Sequence, residues 1–98
     1  MEIIKDLKGN ELNISLVGRL DTTTAPTLEA ELKSSINDVT SLNFDFSKLE
    51  YVSSAGLRVL LAAQKVMSKQ GTMTLTNVGS EIMEVFEITG FTDILTIK

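Results

Sequence analysis

Leu12, Ile14 and Leu16 alternate with Asn13 and Ser15. A period of two marks a strand with one buried face. Ahead of it, Ile3, Ile4 and Leu7 form a looser apolar stretch, and Lys8-Gly9-Asn10-Glu11 separates the two segments. A Gly-Asn pair supplies the left-handed backbone that a tight turn needs, so the pair reads as a β-hairpin. The pattern then changes period. Ala25, Leu28, Leu32 and Ile36 recur at helical spacing around Pro26, whose missing N–H costs nothing in a first turn. Thr23 or Thr24 is placed to cap this helix. Glu29 and Lys33 form an i,i+4 pair of the favourable order.

Leu42, Phe44 and Phe46 alternate with Asn43 and Asp45 as a further strand. From Ala55 to Met67 the apolar residues crowd at 57, 60, 61, 63, 66 and 67, and Lys69-Gln70-Gly71 closes a second helix. Met73 and Leu75 alternate with Thr72, Thr74 and Thr76. Ser80 opens a third helix, with Glu81 and Glu84 near its positive end and Ile82, Val85 and Phe86 inward; Gly90 ends it. A last short strand is expected around Ile94, Leu95 and Ile97. The order is β-β-α-β-α-β-α with a terminal β. Strands alternating with helices demand crossover connections, and the opening hairpin makes the sheet mixed. Residues 1–98 therefore read as one α/β domain with helices packed on a mixed sheet.

Composition narrows the chemistry. With 43% hydrophobic and 22% charged residues the chain is an ordinary globular sequence. A net charge of -4 argues against a nucleic-acid or anionic-membrane binder. There is no Cys and no His, which removes disulfides, thiolate and imidazole metal sites, and the usual general base of nucleophilic catalysis. No glycine-rich phosphate loop is present. No segment has signal-peptide character, and the apolar run at 59–63 is far too short to span a bilayer, so the cytoplasm is the expected compartment.

Three places carry polar groups at strand-to-helix junctions or strand ends. Asp21, followed by Thr22 and Thr23, lies before the first helix, where an Asp either bonds turn amides or meets a partner. Asp45 is expected near a strand end, satisfying loop amides. Ser53 and Ser54 precede Ala55, Gly56, Leu57 and Arg58 at the start of the second helix. One serine is enough to cap it. The other is then a spare or an acceptor of a phosphoryl group, which would add about -1.5 to -2 charge and three acceptor oxygens at a helix N-terminus. Arg58 reads either as part of a solvated helix face or as a partner for such a phosphate.

Over essentially its whole length the chain resembles the STAS domain, the fold of anti-sigma-factor antagonists. The likeness rests on "GRLDTTTAPTLEAEL", on "LNFDFSKLEYVSSAGLRVLL", and on the Thr-rich strand followed by "NVGSEIMEVFEITGF". The resemblance implies a binding module rather than an enzyme, with no cofactor of its own. Its partner would be an anti-sigma factor that is also a serine kinase, supplying ATP and Mg²⁺. Phosphorylation would break the complex, and a PP2C-type phosphatase would restore it. In register, the family's phosphorylated Ser falls on Ser54, its preceding Asp on Ser53, its following hydroxyl residue on Ala55, and its Gly and Leu on Gly56 and Leu57. The family's other acidic positions fall on Asp21 and Asp45. Ser53 thus stands where an acid is usual and is itself a second candidate acceptor. The partner surface is expected to comprise Asp21, Thr22, Thr23 and residues 53–58. The alternative is a STAS scaffold or partner subunit of a signalling complex or lipid-transport system, without the switch. A small esterase or a nucleotide binder has no motif in its favour.

Overall fold

The computed structural model describes residues 1–98. Strands β1 (Glu2–Lys8) and β2 (Glu11–Leu20) form the expected hairpin. Gly9 supplies its left-handed residue with φ +62°. There follow α1 (Ala25–Ser35), β3 (Ser41–Val52), α2 (Ser54–Gln70), β4 (Thr72–Thr76) and α3 (Ser80–Thr89). The chain then makes a single 3-10 turn at Phe91–Asp93 and ends in β5, which is only Thr96–Ile97. Of the residues expected in the terminal strand only Ile97 lies in β5; Ile94 and Leu95 precede it, the first exposed and the second buried.

The five strands lie side by side in sequence order. β1 is antiparallel to β2, and every other neighbouring pair is parallel. The mixed sheet follows from this arrangement, since each parallel step requires a connection long enough to return to the same end. Leu12, Ile14 and Leu16 of β2, Leu42, Phe44 and Phe46 of β3, and Met73 and Leu75 of β4 share one face and are buried. Leu28 and Leu32 of α1, Leu57, Leu60 and Met67 of α2, and Ile82 and Phe86 of α3 belong to the same core. Asn13, Ser15, Asn43, Asp45, Thr74 and Thr76 point to the opposite face and are half-buried. The alternation read in the sequence is this division of the sheet.

Two expectations need correction. β3 does not end at Phe46 but runs on to Val52. Its pairing with β2 slips by one residue between Ser15 and Val17 and again between Gly18 and Arg19. Each slip adds a residue on β3, so its inward positions change from 42, 44 and 46 to Leu49 and Val52. A strict period-two reading breaks off at the first bulge. In α2, Leu61 is only half-buried and Val66 is exposed, whereas Val59 is buried. The buried stripe follows 56, 59, 60, 63 and 67, because the helix lies on β3 and β4 along one side and beside α1 on the other.

Candidate functional site

β2 and β3 are parallel neighbours, so the loops leaving their C-terminal ends open at the same end of the sheet. One loop carries Asp21 and its threonines, the other Ser53 and Ser54. The last paired residues, Leu20 and Val52, are partners in register, and the Ser53 amide donates to the Leu20 carbonyl at 2.8 Å. The backbone thus brings together the two segments that the sequence singled out separately.

The first junction is internally satisfied. Asp21 Oδ1 accepts from the Thr23 amide at 3.0 Å, the Thr23 hydroxyl at 2.7 Å and the Thr24 amide at 3.2 Å. Thr24 stands at the N-cap position but makes no side-chain cap bond. Its hydroxyl instead accepts from the Asp21 amide at 2.8 Å and donates to the Arg19 carbonyl at 2.8 Å. Neither threonine caps α1, contrary to expectation; the Asp21 carboxylate takes the turn amides instead. The Thr23 hydroxyl, helped by the Thr23 and Thr24 amides and opposed by burial, holds the Asp21 carboxyl below its ordinary value. Thr22 and Thr23 remain exposed.

The second junction divides its hydroxyls. Ser53 is the N-cap of α2, in extended backbone, and its Oγ accepts from the Gly56 amide at 3.3 Å. Its carbonyl accepts the first helical bond, from the Leu57 amide. Ser54 is the first helical residue, is exposed, and its hydroxyl enters none of the chain's hydrogen bonds. Ala55 is half-buried, and Gly56 and Leu57 are buried. A Cβ on Gly56 would lie 2.7 Å from Leu20 Cγ and 3.1 Å from the Leu20 carbonyl oxygen. The glycine therefore lets the first turn of α2 close onto the end of β2. Arg58 is exposed, one turn beyond Ser54 on the same side of the helix, and forms no ion pair within the chain. It lines a shallow cleft against α1 with Thr22, Ala25, Pro26, Glu29 and Ala55.

Asp45 lies within β3, opposite the last residue of β4, rather than at the end of its own strand. Its Oδ1 accepts from the Ser47 amide at 2.9 Å and from Asn77 Nδ2 at 3.0 Å. The Asn77 side chain and the Ser47 amide hold this carboxyl low against an opposing effect of burial. Asp45 ties the bulge of β3 to the loop after β4, where Asn77 takes a left-handed conformation. Sequence reading missed one cluster beside the site. The Arg19 guanidinium lies 4.3 Å from the centre of the Tyr51 ring, and its Nε is 3.8 Å from Asp21 Oδ2. Arg19 and Tyr51 face each other only because of the second bulge, which no spacing rule reveals. No group of acidic side chains is arranged to hold a metal ion, and no helix is long and apolar enough to cross a membrane.

The family model described as "Mlab, STAS domain" matches residues 3–96. An anti-sigma-B factor antagonist of Bacillus subtilis is 31% identical, with 100% of this chain and 93% of that protein covered. The crystal structure of an anti-sigma factor antagonist from Mycobacterium paratuberculosis superposes with a TM-score of 0.88 at 23% identity, over 98% of this chain and 83% of that one. The Bacillus cell fate determinant SpoIIAA in its phosphorylated form gives a TM-score of 0.77 at 20% identity, over 99% and 91%. These two structures share its fold. With a family model matched over nearly its full length and a relative of this identity and coverage, the chain belongs to the STAS domain family.

Proposed function

We propose that this chain is an anti-sigma factor antagonist that docks through the junctions after β2 and β3 and is switched by a phosphoryl group on Ser54. The observation that carries the reading is the division of labour between the two serines. Ser53 is spent on the cap, while Ser54 presents an unengaged hydroxyl at the start of α2. The relatives named as anti-sigma factor antagonists support the docking role. Exposed Thr22, Thr23, Ser54 and Arg58, with Ala55 between them, form the contact surface. The Asp21 network holds the first loop in shape beneath it.

A phosphate on Ser54 would meet the unpaired N–H groups at the helix start and the cation of Arg58, so the free protein tolerates it. A partner covering the same spot would have to strip water from that charge, so the complex does not. The donor is the anti-sigma factor's own serine kinase activity, with its ATP and Mg²⁺, and a PP2C-type phosphatase reverses the step. The chain itself catalyses nothing in this cycle, which runs in the cytoplasm.

The test is titration of the chain against its serine-kinase anti-sigma factor. Ser54→Asp is expected to weaken binding about tenfold or more, equivalent to about 1.4 kcal/mol. A STAS scaffold or lipid-transport subunit would have no such dependence, and equal affinity of Ser54→Asp and the parent chain would overturn the switch.

A further inference from the structure

The sheet has two edges, and they are built differently. β5 is two residues long, too short to template another strand. β1 is seven residues long, its outer side has no neighbour, and Ile4 and Leu7 are 48% and 60% exposed. Lysines on an edge usually discourage pairing. Along β1, however, the charges are ordered Glu2, Lys5, Asp6, Lys8 with Ile3, Ile4 and Leu7 between them.

We propose that β1 pairs antiparallel with β1 of a second copy, extending the sheet across a two-fold axis at Lys5. Symmetry and hydrogen bonding select this register. A two-fold axis perpendicular to the sheet keeps the helices of both copies on one side, so only residues of the same face oppose each other. The two-residue hairpin makes Lys8 and Glu11 an inward-bonded pair, and the alternation leaves the amides and carbonyls of Ile3, Lys5 and Leu7 directed outward. Centring on Lys5 pairs the whole strand. It sets Glu2 against Lys8 of the other copy at both ends, and Ile3 against Leu7 just inside them. Moving the axis to Ile4 sets Glu2 against Asp6, and moving it to Asp6 opposes two aspartates, each with part of the strand unpaired. Like charges directly opposed destabilise a sheet. The two Lys5 residues that meet on the axis are already engaged, since Lys5 Nζ donates to Ser35 Oγ at 2.9 Å and is ion-paired with Glu31 of α1. Their charge is therefore directed down onto the helix rather than across the axis. β1 contains none of the residues of the Ser54 site, so the dimer would present two such sites.

The absence of cysteine makes the register directly readable. In the proposed pair, residues 2 and 8 of opposite copies form a non-hydrogen-bonded pair with Cα atoms about 4.5 Å apart, within disulfide range. Glu2→Cys and Lys8→Cys chains, mixed and mildly oxidised, are expected to give several-fold more covalent dimer than either variant oxidised alone. The parent chain is expected to sediment as a dimer that dissociates on dilution. Equal cross-linking in the mixed and separate samples, or a parent chain that sediments as a monomer at every concentration, would overturn the proposal.

Discussion

Two loops leave the same end of one sheet, after β2 and after β3, and each starts a helix. They build the turn that leads into a helix in opposite ways. After β2, one carboxylate gathers the amides of Thr23 and Thr24 together with the Thr23 hydroxyl, while Thr24 is bonded back to the strand. After β3, Ser53 makes a single cap bond and Ser54 makes none. The first loop is a closed network that fixes a shape. The second spends one hydroxyl on structure and leaves the other, on Ser54, unengaged. The proposed function, docking together with a switch, would draw on both kinds of junction.

The contrast can be broken at several points. The largest effect is expected at Gly56, where any side chain meets Leu20. Gly56→Val should cost about 1–3 kcal/mol through overpacking, read as a shift in the urea midpoint. Ser53→Ala should cost about 1 kcal/mol through loss of the cap. Ser53→Asp, which installs the acid usual in the family, should stay within about 0.5 kcal/mol of the parent because Asp and Ser cap equally well. A cost as large as that of Ser53→Ala would show that the Ser53–Gly56 bond is not what holds the turn.

Acid should separate the junctions further. The Asp21 carboxyl titrates below its ordinary value of 3.8 in the folded chain. Its stabilising contribution is therefore present above that value and is lost as pH falls through the lower, folded one. The stability difference between the parent and Asp21→Asn should hold at neutral pH and close below about pH 3.8. A gap that persists in acid would mean that the carboxylate charge is irrelevant to the loop. The smallest effect is expected at Ser54, where Ser54→Ala should lie within about 0.5 kcal/mol of the parent. A larger loss would show that its hydroxyl is structural after all.

Much of this arrangement is legible in the chain. The alternation at Leu12, Ile14 and Leu16 and at Leu42, Phe44 and Phe46 reports the buried face of the sheet, and the helical spacing from Ala25 to Ile36 reports α1. These signals are local and repeat. What escapes the sequence is set by pairing between distant segments. The two bulges carry β3 on to Val52 and bring Arg19 over Tyr51, yet their only trace is the irregular spacing of Phe46, Leu49 and Val52. A serine cap on α2 is foreseen, but which of Ser53 and Ser54 makes it is decided only by where the helix starts. That Asp21 bonds turn amides is foreseen as one of two readings, but which groups it takes is not, because three threonines and an aspartate in one loop allow several bonding schemes of similar cost. Tertiary geometry, through the Arg19 carbonyl, selects one of them.

The most direct measurement of the central claim is site-resolved phosphorylation. Parent, Ser53→Ala and Ser54→Ala chains are incubated with the serine-kinase anti-sigma factor and ATP, and the products are mapped by mass spectrometry. One phosphoryl group on Ser54 is expected in the parent and in Ser53→Ala, and none in Ser54→Ala. Undiminished labelling of Ser54→Ala, with the phosphate on Ser53, would contradict the division of labour between the two serines.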